Sequence, residues 1–237
     1  DLSDQVDGNG NPVDDLSINV QTGLLGGGDG PGGPAANAGP RLRRSASDSN
    51  QYLAYTGEVG IDMQDNPEGY NPLFATGLAI HEIGHILGFT GTVLNDFGYQ
   101  DTNLDYINGE NALREYQKIV PGAQVIPMDD TGADWEKAEF GYEVMTPSTG
   151  NNYSLSLVSA GLLDDIGYEV DYSAFDEYTH SNGTTLTPPL PAPVSIAIAG
   201  LDIRGEEVTG EKVWDDTDIV HVLQNTITVN NFHTETG

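Results

Sequence analysis

The chain of 237 residues contains no cysteine. That excludes a disulfide framework and any thiolate metal site, so a bound metal must be held by His, Asp or Glu. Cations are nearly as scarce: Lys and Arg total 8 against 37 Asp and Glu, a formal charge of −29. Such a surface repels nucleic acid and anionic lipid, and both are discounted as partners. It fits a secreted protein in a salty extracellular setting, where salt screens the self-repulsion. Calcium is the other use for so many carboxylates. A run of about 18 apolar residues is also missing, so no transmembrane segment is expected. The first residue is Asp1 and no signal segment precedes it, so the sequence reads as part of a longer, processed protein.

The remaining chain is loop-rich, with 30 Gly and 13 Pro. Residues 4–20 read as a turn followed by a strand, with Leu16, Ile18 and Val20 alternating inward. The turn, "DGNGNPVDD" (7–15), has a calcium-loop flavour but lacks the spacing of an EF-hand, and Asp-Gly and Asn-Gly favour a solvated turn. Residues 23–40 are a glycine-rich surface loop without the Gly-Lys-Ser/Thr of a phosphate loop. A second strand is expected over 55–63, with Val59, Ile61 and Met63 in alternation. Helices are predicted over 108–120 (Leu113, Tyr116, Val120) and 154–167 (Leu155, Val158, Leu162, Ile166), the latter closed by Gly167. Residues 179–195 are Pro/Thr-rich and read as a linker. The segment 196–237 carries two β-type stretches and is too short for a core of its own.

The strongest helix is 71–88, "NPLFATGLAIHEIGHILG". Asn71 suits the N-cap, Pro72 the first helical position and Gly88 a left-handed C-terminal cap; Ile80, Ile83 and Leu87 share one face. His81 and His85 are four apart and therefore lie one above the other. They can offer two imidazole nitrogens to one metal. Glu82 is a step round the helix, placed to take a proton from a water at the metal and return it to a leaving amine. His180, His221 and His233 lie in or beyond the linker and read as plain surface histidines. In many zinc peptidases of this pattern a third histidine follows three residues after the glycine; Gly91 occupies that position.

"HEIGHILGF" (81–89) together with "EVMTPSTGNNYSLSLVSAGLLDDIGYEVDY" (143–172) resembles the metzincin zinc peptidases, and within them the leishmanolysin-like family and its bacterial relatives. "VDDLSI" (13–18), "AGPRLR" (38–43), "YTGEVGIDM" (55–63) and "NALREY" (111–116) add to the match, which covers roughly residues 13–172. The resemblance implies an α/β (α+β) zincin-like catalytic domain over 1–178. Its parts would be a twisted mixed sheet, an active-site helix, a methionine-containing turn and a C-terminal helix. The family's first strand and backing helix have no counterpart in this sequence. One edge strand of the family's sheet pairs with substrate, and 33–39 is the candidate for it. The family also carries its third histidine on a long insertion, shortly before the Met-turn. Aligning "GADWEKAEFGYEVMTP" (132–147) with that region puts Asp134 in the histidine's place and Met145 in the turn, stiffened by Pro147. Carboxylate is an accepted zinc ligand, and Glu136 and Glu139 are rivals for the same role. The expected activity is that of a secreted endopeptidase with one catalytic Zn2+ held by His81, His85 and Asp134, acting on protein or peptide substrates. The alternative is a catalytically inactive adhesion module of the same fold, with cell-surface association through the C-terminal region.

Overall fold

The computed structural model describes residues 2–23, 34–62, 71–100, 105–147 and 154–191. The chain divides into two units, Asp1–Val194 and Ser195–Gly237. The second unit, with the β-type stretches, His221 and His233, lies outside the described residues, as do most of the glycine-rich segment and Met63.

The first unit mixes α and β. Its strands are β1 (Gln5–Val6), β2 (Pro12–Val13), β3 (Ser17–Gly23), β4 (Ala36–Arg43), β5 (Ala54–Asp62), β6 (Tyr106–Ile107), β7 (Ile126–Pro127), β8 (Tyr178–Thr179) and β9 (Thr185–Leu186). Its helices are α1 (Pro72–Leu87), α2 (Gly91–Asp96), α3 (Glu110–Gln117), α4 (Lys137–Phe140) and α5 (Leu157–Asp165). A three-stranded mixed sheet runs in the order β3-β5-β4. β3 is parallel to β5, from Ser17 opposite Thr56 to Gly23 opposite Asp62. β4 is antiparallel to β5, and its register shifts between Pro40 and Leu42.

β4 corrects the reading of 23–40 as surface loop and puts an edge strand, from Ala36, where the resemblance offered one at 33–39. Gly39 and Pro40 disguise it, but proline is tolerated where β4 sits, on a sheet edge beside a bulge. The expected inward alternation of β3 holds for Leu16 and Ile18, which pack toward the sheet's core, and fails at Val20, which is exposed. Within the 7–15 segment, residues 7–11 are the β1–β2 turn and Pro12–Val13 form β2. The Asp7 carboxylate accepts from Asn9 N–H, Asn11 N–H and the Asn11 side-chain amide, which closes the turn from within.

α1 has the expected limits. Asn71 caps it by accepting the Phe74 N–H, Pro72 opens it, and Gly88 ends it at φ 141°, a conformation that favours glycine. Residues 72–96 are long and apolar enough to cross a membrane on composition alone. They are nevertheless two helices, broken at Gly88, with α2 capped by the Thr90 side chain. The face that α1 buries is Gly77, Leu78, Glu82, Gly84 and Ile86. Ile80 and Ile83, read as sharing one face with Leu87, are exposed. The helix docks on β4 and β5, where Ile86 joins Ala54 and Val59 in a small core.

A larger core lies below, built from Phe89, Leu94, Trp135, Phe140, Val144, Met145 and the buried side of α5. α3 and α5 pack together, and Asp165 caps α3 by accepting the N–H groups of Asn111 and Ala112. Residues 179–186 are not linker. They form the β8–β9 hairpin, whose Tyr178 and Leu186 are buried in this core. His180 is likewise no surface residue: it is 3% exposed, wedged among Tyr116, Phe140 and Tyr178, with Nε2 3.3 Å from Glu139 Oε1.

Candidate metal centre

The i, i+4 spacing on α1 brings the His81 and His85 imidazoles together, ring centres 4.6 Å apart. Each ring is oriented by a backbone carbonyl. His81 Nδ1 donates to Val144 O and His85 Nδ1 to Phe89 O, both at 2.7 Å. When both rings are neutral with the proton on Nδ1, each Nε2 carries a lone pair. The two Nε2 atoms nevertheless lie 3.0 Å apart. Neither can donate to the other, and a shared cation removes that repulsion.

Asp134 completes the group. Its Oδ1 lies 3.5 Å from His81 Nε2 and 3.7 Å from His85 Nε2. That oxygen is buried and accepts no hydrogen bond. Among the described residues, these three side chains form the group placed to hold a metal ion. Bonds of about 2.0–2.2 Å in tetrahedral array put neighbouring donors about 3.3–3.5 Å apart, close to the three separations found. The donors and the distances fit one small divalent cation.

The loop carrying Asp134 is held from both sides. Asp129 accepts the Asp134 N–H at 3.2 Å and donates its own N–H to Asp134 O at 2.9 Å. On the other side the Trp135 N–H donates to Met145 O at 2.7 Å. Met145 is buried beneath α1, its sulfur against Gly84. The rival carboxylates are engaged elsewhere. Glu136 caps α4 by accepting the Ala138 N–H, and Glu139 accepts from the Tyr116 hydroxyl at 2.5 Å. Gly91 is the first residue of α2 and leads the chain away.

Glu82 is buried at 4% exposure, and its Oε2 has no hydrogen-bond partner. Burial raises its pKa from 4.5 to about 7. Burial, with the charge of His81, lowers His85 from 6.5 to about 4 and keeps the imidazole neutral. Burial also raises Asp134, with His81 opposing the rise. The site therefore gathers two imidazole nitrogens, that of His85 held neutral by burial, and a carboxylate that would ionise fully once a cation arrives.

The sequence puts His81, Glu82 and His85 on one helix turn, and the structure places beside them Asp134 and, against Gly84, Met145, both of which the resemblance had named. The carbonyls of Phe89 and Val144, which fix both histidine tautomers, escaped the sequence reading. Phe89 follows the helix-ending Gly88 directly, a local signal that could have been used; Val144 has none beyond adjacency to Met145. No protein-family model and no curated protein matches this chain.

Proposed function

We propose that this chain is a zinc-dependent endopeptidase, of the leishmanolysin-like metzincin type that its sequence resembles, with Asp134 in place of the third histidine. The observation that carries the proposal is the pair of Nε2 atoms at 3.0 Å facing Asp134 Oδ1, which has no hydrogen-bond partner among the described residues. The mixed sheet with its antiparallel edge strand β4, the helix α1 above Met145, and α5 behind support the metzincin reading. Zinc held there would acidify a water and polarise a peptide carbonyl.

His81, His85 and Asp134 would hold the ion. Glu82 Oε2, unpartnered and with a pKa of about 7, takes the proton of the attacking water and hands it to the departing amine. The carbonyls of Val144 and Phe89 keep both imidazoles in the ligating tautomer through the cycle. β4, an edge strand of the sheet among the described residues, is placed to pair with an extended peptide. The acidic composition suits action outside the cell, on protein or peptide substrates.

The test is a purified sample loaded with one equivalent of zinc and given an unfolded protein substrate. Cleavage is expected, with loss on chelation and return on adding zinc. Glu82→Gln should retain the metal and lose turnover by about 10²–10⁴-fold. Unchanged turnover in that variant would overturn the mechanism.

A further inference from the structure

Glu143 is completely buried, and among the described residues no cation pairs with it. A carboxylate in that position costs several kcal/mol unless it is fully hydrogen-bonded. It is. Oε1 accepts the Ser156 N–H at 2.9 Å and the Ser159 hydroxyl at 2.5 Å, and Oε2 accepts the Met145 N–H at 2.5 Å. The Ser159 oxygen in turn accepts the Trp135 indole N–H at 2.9 Å. Trp135 follows Asp134 in the chain, and its own N–H is bound to Met145 O. Val144, between Glu143 and Met145, supplies the carbonyl that orients His81.

We infer that Glu143 is a positioning residue of the metal centre: one buried carboxylate, through Met145 and through Ser159 and Trp135, fixes both the His81 carbonyl and the Asp134 loop. The inference rests on the proposed metal reading. Glutamine cannot replace it, because every contact of the carboxylate is as an acceptor and the amide would turn a donor toward another donor. The bonds lie in a chain, so breaking one end removes the purpose of the other.

Zinc affinity, measured by competition with a chromophoric chelator, and the cobalt(II) absorption spectrum are compared in the full chain and its variants. Glu143→Gln should weaken zinc binding about 10–100-fold and alter the cobalt bands, the cost found for outer-shell partners. Trp135→Phe removes the indole N–H together with part of the buried ring, so its melt is read beside its affinity; it should weaken zinc severalfold and add little on top of Glu143→Gln. Lower melting temperatures with unchanged affinity and an unchanged cobalt spectrum would overturn the inference. If Glu143→Gln does not fold, Trp135→Phe and Ser159→Ala decide it by the same two readouts. A parent protein that binds neither metal would overturn the metal reading and this inference together. A parent that binds both, with variants that do not differ from it, overturns this inference alone.

Discussion

The sulfur of Met145 lies so close beneath Gly84 that a methyl group on that glycine would stand 2.4 Å from it. Gly84 sits between His81 and His85 on the helix, so the methionine lies against the turn that carries both imidazoles. The approach needs a residue without a side chain.

Gly84→Ala therefore opposes two effects. Alanine should favour an isolated helix by about 1 kcal/mol. Overpacking of a filled core costs about 1–3 kcal/mol. The buried contact is expected to win, and the variant should melt lower than the parent. In a Met145→Ala background the clash is gone, and Gly84→Ala should become neutral or stabilising. A thermal-melt double-mutant cycle reads the difference, and an equal effect in both backgrounds would contradict the close contact.

The raised pKa of Glu82 gives a pH signature in the metal-free protein. The folded state holds its proton up to about pH 7, whereas the unfolded chain releases it near 4.5. Stability from this group is present below about 4.5 and is lost as pH rises through 7. Other groups titrate over the same range, and His85, depressed to about 4, acts in the opposite sense below 6.5. Comparison with Glu82→Gln isolates the one carboxyl. In chelator, the parent should lose stability relative to the variant between pH 5 and pH 8. A gap that does not change with pH would mean that Glu82 is not desolvated in solution.

The parts of the molecule that were legible in the sequence are those set by local chemistry. Asn71, Pro72 and Gly88 bound α1 because a cap, a fixed φ and a positive φ are properties of single residues. The buried face of α1 was not legible. Ile80 and Ile83 look like core residues, yet Gly77 and Gly84 are buried instead, because the partners are a sheet and a methionine that approach the backbone closely. β4 was reached only in part: the resemblance offered an edge strand at 33–39, while Gly39 and Pro40 hid its run to Arg43, since their tolerance depends on an edge position that no local pattern reveals. The β8–β9 hairpin offers Tyr178, His180 and Leu186 as its large buried residues among Thr, Asn and Gly, so its composition imitates a linker. In the site, the i, i+4 histidines were readable from helix geometry. Asp134, 49 residues beyond His85, was reached only through a family resemblance, since nothing local distinguishes it from Asp129 or Asp130.

The hairpin changes where the chain can be shortened. The Tyr178 hydroxyl donates to Phe140 O at 2.6 Å, and His180 and Leu186 close over the core that supports the 132–147 segment. Ending the chain after Ser173 removes all three. Each large apolar side chain is worth about 1.5–3 kcal/mol buried, so this form should melt far lower and hold zinc more weakly. Ending after Pro191 leaves the hairpin intact and should preserve both properties. Parallel melts and chelator titrations separate the cases. Equal behaviour of the two shortened forms would return 179–186 to the status of a linker.

The third ligand is the most direct test of the site. Asp134 Oδ1 faces both Nε2 atoms and accepts no other bond, whereas Glu136 and Glu139 are committed to a helix cap and to Tyr116. Asp134→Ala should therefore weaken zinc by more than the 10–100-fold that loss of an outer-shell partner costs. Glu136→Ala and Glu139→Ala should leave the affinity near that of the parent. Asp134→His restores the three-histidine set of the resembled family but not its geometry. The Nε2 of a histidine lies one bond further from Cβ than a carboxylate oxygen. The loop cannot retreat to make room, because Asp129 and Met145 hold the backbone on either side of residue 134. The variant should bind zinc more tightly than Asp134→Ala and less tightly than the parent. Competitive zinc titration of the five proteins gives the order. Parent-like affinity in Asp134→Ala, with loss in either glutamate variant, would move the ligand to another carboxylate and remove Asp134 from the site.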